Sequence, residues 1–138
     1  MNIRILTLIF LLSGCANQSE VIKLDYEIND NLENATIDLI YTNQSNKAIC
    51  VTPEMWPDKH GIVLVASSRV YLQIGDKKFF MIHENGDYCP GCSTKVIPMQ
   101  KINASIPYSL FNLPSALYGE KKMLIFDPKP IASYCGKN

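Results

Sequence analysis

Two of the five cysteines have the spacing of a redox site. Cys89-Pro90-Gly91-Cys92 separates two thiols by two residues, as in thiol–disulfide enzymes, where a helix N-terminus lowers the pKa of one thiol. Here the polar residues 85–88 precede the pair and residues 93–94 follow it, which predicts a loop between strands. Pro-Gly between the cysteines favours a turn. We therefore expect a structural Cys89–Cys92 disulfide, with a redox pair or a zinc site as the alternatives.

No other motif predicts catalysis. The sequence contains no nucleophile elbow, no phosphate-binding loop and no HExxH segment. His83 lies close to Glu84 and Asp87, but a solvated loop is the favoured interpretation of this group. A zinc site at Cys89 and Cys92 would need a second pair of ligands, which the chain does not supply nearby. We expect no metal, no cofactor and no enzymatic activity.

Aromatic residues are the candidates for contacting a partner protein. Trp56 lies between two prolines, and Tyr88 and Tyr108 fall in or near predicted loops. Tyr and Trp are enriched at protein–protein interfaces. For Trp56, packing against a disulfide at Cys50 is the favoured interpretation. If they are exposed, Trp56, Tyr88 and Tyr108 are the predicted partner contacts.

These residues must be positioned by strands, because short runs of alternating apolar and polar residues dominate the chain. No stretch of 12 residues keeps a helical period, and 7 Gly and 8 Pro separate the runs. Residues 49–60 are predicted to be a loop or a helical turn. The predicted fold is all-β, an antiparallel β-sandwich of six to eight short strands stapled by disulfides. Strands are predicted at residues 21–28, 36–42, 61–65, 69–74, 78–82, 94–98, 101–106 and 122–127.

Two segments sharpen the fold prediction. IDLIYTNQSNKAICV (37–51) resembles the strand–turn–strand unit of small immunoglobulin-like domains in bacterial envelope proteins, and GEKKMLIF (119–126) is similar to their penultimate strand. These two segments make up 23 of the 138 residues. The resemblance implies an immunoglobulin-like sandwich and carries no implication about activity.

The N-terminus has the organisation of a secretory signal. Arg4 precedes an apolar run at 5–12 that is too short to span a bilayer, which needs roughly 20 residues. Leu12-Ser13-Gly14-Cys15 then resembles the lipobox of bacterial lipoproteins. The resemblance implies cleavage before Cys15, acylation of Cys15 and, because Ala16 follows, retention at the outer membrane. The expected organisation is a signal peptide (1–14), a lipidated tether (15–20) and one sandwich domain (21–138).

Export would place the four remaining cysteines in an oxidising compartment, where an even number predicts disulfides. Three connectivities are possible. We favour Cys50–Cys135 with Cys89–Cys92, because the predicted strands that precede Cys50 and Cys135 would finish at the same end of the sandwich. The larger loop would restrict the unfolded chain by about 4–5 kcal/mol in the entropic model.

The balance of charged residues argues against nucleic-acid binding. Thirteen basic and thirteen acidic residues give a formal net charge of zero, whereas nucleic-acid binding needs a basic face. We expect a membrane-anchored periplasmic protein that binds another protein, as an immunity protein or an inhibitor does. The alternatives are a structural subunit of an envelope assembly and a redox protein that uses Cys89 and Cys92.

Overall fold

The computed structural model describes residues 21–52, 54–64, 69–82, 93–127 and 129–135. The predicted signal peptide (1–14), the tether with Cys15, and the segment with Tyr88, Cys89 and Cys92 lie outside these ranges. Within the ranges, no helix has the length and hydropathy needed to cross a membrane.

Ten short strands in the described ranges form three antiparallel sheets around one apolar core. The sheet orders are β1-β10-β4-β7, β2-β3-β8 and β6-β5-β9, and two 3-10 turns (Tyr108–Phe111 and Ser115–Leu117) follow β8. This arrangement confirms the predicted immunoglobulin-like antiparallel sandwich, with more strands than the expected six to eight. The strands are β1 (Val21–Lys23), β2 (Glu27–Asn31), β3 (Thr36–Thr42), β4 (Ile49–Val51), β5 (Val70–Ile74), β6 (Lys77–Phe80), β7 (Thr94–Val96), β8 (Lys101–Pro107), β9 (Met123–Phe126) and β10 (Ile131–Tyr134).

Strand β3 is the clearest example of the alternation that predicted the fold. Ile37, Leu39 and Tyr41 are buried, whereas the residues between them are partly exposed. Along its whole length β3 pairs with β8, from Thr36 opposite Pro107 to Thr42 opposite Lys101. Side chains on one face of a strand recur every second residue, so the buried face of β3 lies on the core.

The predicted strand at 21–28 is divided in two because the chain changes sheets. β1 pairs with β10, whereas β2 pairs with β3. Between them, Leu24 is buried and its N–H donates to the Pro130 carbonyl at 3.0 Å. The chain changes sheets again between its last two strands, because β9 pairs with β5 whereas β10 pairs with β1. The first and last strands are therefore neighbours that separate midway.

The predicted strand at 61–65 is wrong, since residues 61–64 form no strand. The Asp58 carboxylate accepts hydrogen bonds from the N–H groups of His60 (2.7 Å) and Ile62 (2.9 Å), which fold the chain into a turn. Gly61 has a φ of 82°, and a Cβ there would lie 2.6 Å from the Ser105 carbonyl oxygen. Only glycine fits this close approach to β8.

Strands β4 and β10 carry the disulfide; the resemblance at 37–51 implied a strand ending at Val51, whereas no strand was predicted at 131–134. Cys50 lies in β4 and Cys135 directly follows β10; the two Cα atoms are 5.1 Å apart. The pairing is the favoured one, and its immediate cause is that β4 and β10 are adjacent in one sheet, with Cys50 opposite Ser133. Closing a loop across 85 positions stabilises the fold by about 4–5 kcal/mol in the entropic model.

Asn43 is the buried polar residue that joins two turns at this end of the sandwich. Its side-chain N–H₂ donates to the carbonyls of Lys47 and Val96, both at 2.9 Å, and its Oδ1 accepts from the N–H and hydroxyl of Ser45. Its main chain bonds Met99 (2.8 Å) and Gln100 (3.0 Å) in the β7–β8 turn. Asn43 thus fixes the β3–β4 turn against the β7–β8 turn.

We expect Asn43→Ala to lower the free energy of unfolding by about 2–4 kcal/mol, because the two carbonyls and Ser45 lose their partner in a buried setting. Chemical denaturation measures the change. Asn46→Ala, at an exposed position in the same turn, is the matched control and should cost less than about 0.5 kcal/mol. Equal effects of the two substitutions would contradict the role given to Asn43.

Candidate functional site

The aromatic residues predicted to contact a partner are buried where the structure describes them. Trp56 is 8% exposed and Tyr108 is 0% exposed. The Trp56 ring packs edge to face against Tyr26, with centroids 6.2 Å apart, and against Tyr41 at 6.5 Å. Both side chains belong to the core, so the exposure on which the predicted partner contacts depended is not met. For Trp56, burial agrees with the favoured interpretation of packing. The aromatic neighbours of Trp56 are tyrosines, and Tyr88 lies outside the described residues.

A groove between β2 and β9 is the candidate site instead. It has a volume of about 270 Å³ and a largely apolar wall. Ile28 on β2 (47% exposed) and Met123 on β9 (53% exposed) are large apolar side chains in contact with solvent. Asp25 and Lys129 add one charge of each sign. The apolar lining consists of Leu24, Tyr26, Ile28, Met123, Ile125 and Phe126, together with Leu124.

The groove exists because β2 and β9 are each the last strand of their sheets. In the sheet orders β2 is terminal beside β3, and β9 is terminal beside β5. Neither has a strand partner on its other side within the described part of the chain. An edge strand presents unpaired backbone N–H and C=O groups in a row. The site therefore combines apolar side chains with two strand edges.

A buried lysine closes one end of the groove. The Lys122 side chain is fully buried, and its Nζ lies 2.9 Å from Asp30 Oδ2. The same ammonium donates to the carbonyls of Tyr118 and Glu120 and lies 4.8 Å from the centre of the Tyr108 ring. An ammonium has three N–H donors, and all three are engaged. Lys122 therefore ties β9 to Asp30 on β2.

Tyr108 completes this cluster as a hydrogen-bond donor. Its hydroxyl donates to Asp30 Oδ1, and its ring packs edge to face on Tyr118 at 4.8 Å. Burial raises the pKa of Tyr108 well above the ordinary tyrosine value, and the hydrogen bond and negative charge of Asp30 raise it further. A phenol with a raised pKa stays protonated at neutral pH, so Tyr108 acts here as a fixed donor.

Asp38 supports the cluster from the neighbouring strand. Partial burial alone would raise its pKa, but hydrogen bonds from Asn31, Ser105 and Thr36 outweigh burial and lower the pKa below 3.8. Asn31 and Thr36 each donate at 2.9 Å. The pKa of Asp38 is thus lower in the folded protein than in the unfolded chain. Ionised Asp38 therefore stabilises the fold at pH values above its unfolded-state pKa. This stabilisation is lost as the pH falls through its folded-state pKa.

Aromatic contacts hold the other end of the groove. Tyr26 packs edge to face against Phe126 with ring centroids 5.7 Å apart. Burial, followed by the charge of Asp25, raises the pKa of Tyr26 to about 12. The strands are thus linked at Asp30–Lys122 and at Tyr26–Phe126, with Ile28 between. This arrangement can bind an apolar side chain.

The arrangement does not suggest acid–base chemistry. Asp30, Lys122 and Tyr108 bond one another, which orients the strands and leaves no free base or nucleophile within this cluster. The part of the chain that the structure describes has no group of three or more His, Cys, Asp or Glu residues placed to hold a metal ion. No signal in the sequence identified the groove, because it depends on how the sheets separate.

The two partners of the Asp30–Lys122 ion pair are expected to differ in the stability lost when each is replaced. Asp30→Asn should lower the free energy of unfolding by about 2–4 kcal/mol, because it leaves the Lys122 charge buried without its counter-ion. Lys122→Met should cost less, since Asp30 is one-third exposed and can be hydrated. Chemical denaturation of both variants provides the comparison.

The double variant Asp30→Asn/Lys122→Met is the control for this prediction. It should be more stable than Asp30→Asn alone, because it removes the buried charge that has no partner. Additive losses in the double variant would show that Asp30 and Lys122 are not coupled.

Comparisons of the chain with protein-family models, curated proteins and solved structures give no match.

Proposed function

We propose that the protein is a lipid-anchored, non-enzymatic binding protein of the bacterial cell envelope, held at the outer membrane on the periplasmic side. In this proposal Cys15 carries the lipid and the β2–β9 groove binds a partner protein. The observation that carries the proposal is an apolar groove bordered by two sheet edges, with Ile28 and Met123 exposed beside it. The lipobox-like sequence at 12–15 supports the anchor.

An extended polypeptide segment is the ligand that fits this groove best. A strand edge can bond the main chain of an added segment, while a pocket beside it accepts alternate side chains. The groove volume of about 270 Å³ lies just below the range of roughly 300–1,000 Å³ that is usual for small-molecule sites. It suits one or two apolar side chains of a peptide.

Two activities are compatible with such binding, namely neutralisation of an incoming toxin and inhibition of a hydrolase. The competing proposal is a structural subunit of an envelope assembly. Deleting the gene distinguishes them. A loss of outer-membrane integrity in cells that encounter no toxin favours the structural subunit, whereas sensitivity that appears only with a toxin or hydrolase favours the binding protein.

Photo-crosslinking tests the groove directly. With a photoreactive phenylalanine analogue at Met123 in the full chain, we expect a stoichiometric crosslink to a partner in cell envelopes. The same analogue at Phe80, which is also exposed but lies on β6, is the matched control and should give none. Crosslinks of equal yield at both positions would contradict the groove as the binding site.

Once the partner is identified, charge in the groove should weaken binding. Ile28→Asp should raise the dissociation constant by about 30-fold or more, because the lost burial of an isoleucine is worth about 2 kcal/mol and a carboxylate must be desolvated. Leu32→Asp, at an exposed apolar position in the β2–β3 turn, should leave the dissociation constant unchanged. Isothermal calorimetry provides the measurement.

A further inference from the structure

A second exposed apolar surface lies at the end of the sandwich where the described chain begins. We call it the entry end. Val21 lies opposite Ser133, Tyr134 lies opposite Ile49, and Ile49 lies opposite Val96. Because these pairs are consecutive in one sheet, four strand ends lie together here: the start of β1, the end of β10, the start of β4 and the end of β7.

The two turns joined by Asn43 extend the entry end. One is the β3–β4 turn with Lys47, whose Nζ lies 4.9 Å from the centre of the Tyr134 ring. The other is the β7–β8 turn, where Ile97 and Met99 are exposed. With Val21, three large apolar side chains therefore project from this end.

Met99 is an unusual residue for its position. It has a φ of 63° and is 74% exposed. Glycine and asparagine adopt this left-handed conformation more readily than methionine. The turn does not need methionine for packing, so an apolar side chain is presented to solvent at a conformational cost.

The charge at the entry end has one dominant sign. Residues 43–49, 93–101 and 131–135 contain Lys47, Lys95 and Lys101 and no Asp or Glu. Counting Glu20 of the predicted tether, the end still has a net positive charge. Basic residues close to a membrane surface are attracted by anionic lipid headgroups. Apolar side chains among lysines are typical of surfaces that lie in the headgroup region.

The length of the tether brings this end close to the lipid. Six positions separate Cys15 from Val21, so even a fully extended chain spans only about 20 Å. A domain of this size has a diameter of about 35 Å, from the scaling of its radius of gyration. Val21 must stay near the bilayer, whereas the far end can reach it only if the domain lies on its side.

We propose that the entry end, formed by Val21, Lys47, Lys95, Ile97, Met99 and Lys101, docks on the anionic headgroups of the membrane that holds the lipid anchor. This inference rests on the proposed acylation of Cys15. The anchor keeps the surface at high effective concentration near the bilayer, so weak contacts are enough to orient the domain. Docking at this end keeps the β2–β9 groove away from the lipid.

Methionine oxidation tests the orientation within one molecule. The full chain, as purified from bacterial membranes, is reconstituted in vesicles of phosphatidylethanolamine and phosphatidylglycerol, treated with hydrogen peroxide and analysed by peptide mass spectrometry. Oxidation follows exposure, and Met99 is more exposed than Met123 (74% against 53%). If the end is covered for roughly four-fifths of the time, Met99 oxidises about fivefold more slowly than it would uncovered. Because uncovered Met99 is the more exposed of the two, the expected rate is about three- to fourfold below that of Met123. Oxidation of Met99 as fast as Met123 would overturn the inference.

Charge reversal identifies what covers Met99. Lys95→Glu/Lys101→Glu should restore fast oxidation of Met99. Lys77→Glu/Lys121→Glu, which changes two exposed lysines away from the entry end, is the matched control and should leave Met99 protected. Protection that survives in both variants would rule out anionic lipid. Protection that increases with the protein-to-lipid ratio would identify a second copy and also overturn the inference.

The same spectra separate this inference from the proposed function. An N-terminal peptide without acyl chains would refute the anchor and the orientation together. An acylated peptide with unprotected Met99 would refute the orientation alone. Binding of a partner in the groove is measured by crosslinking at Met123. The proposed function is therefore tested independently of the oxidation of Met99.

Discussion

The separation of the first and last strands at Leu24 and Pro130 is the constraint on which the rest of the structure depends. Up to this point β1 and β10 form a regular antiparallel ladder. Beyond it, the continuation of each strand joins a different sheet, since β2 pairs with β3 and β9 pairs with β5. The divergence lets three sheets enclose one core, and it leaves two strand edges facing a groove. The same feature thus produces both the fold and the candidate site.

The contacts across the groove explain why it remains open at a defined width. Backbone hydrogen bonds would close it into a continuous sheet, but side chains bridge it instead, with Asp30 and Lys122 at one end and Tyr26 and Phe126 at the other. A buried ion pair is seldom better for stability than apolar residues of the same shape. Its contribution here is geometric, because the Tyr118 and Glu120 carbonyls fix the Lys122 ammonium beside the start of β9, and the contact with Asp30 then sets the position of β2.

Sequence patterns predicted the parts of the fold that depend on local periodicity. β3 begins and ends where the alternation of Ile37, Leu39 and Tyr41 predicts. The strand predicted at 61–65 is wrong because the close contact of Gly61 with β8 is a tertiary feature. The resemblance at 37–51 implied the strand that contains Cys50, whereas β10, which follows Pro130, was not predicted. The Cys50–Cys135 pairing that depends on both strands was nevertheless favoured. The groove could not be predicted, since it arises where two strands part.

The burial of Trp56 shows why residue type alone is a poor guide to a binding site. An aromatic residue is favoured at interfaces for the same reason that it is favoured in cores, because burying it removes a large apolar area from water. In this chain the irregular segment after β4 folds inward, and Trp56 packs on Tyr26 and Tyr41. Tyr26 in turn contacts Phe126 at the groove. Trp56 therefore packs behind the wall of the groove, and the large apolar side chains that remain exposed there are those of Ile28 and Met123.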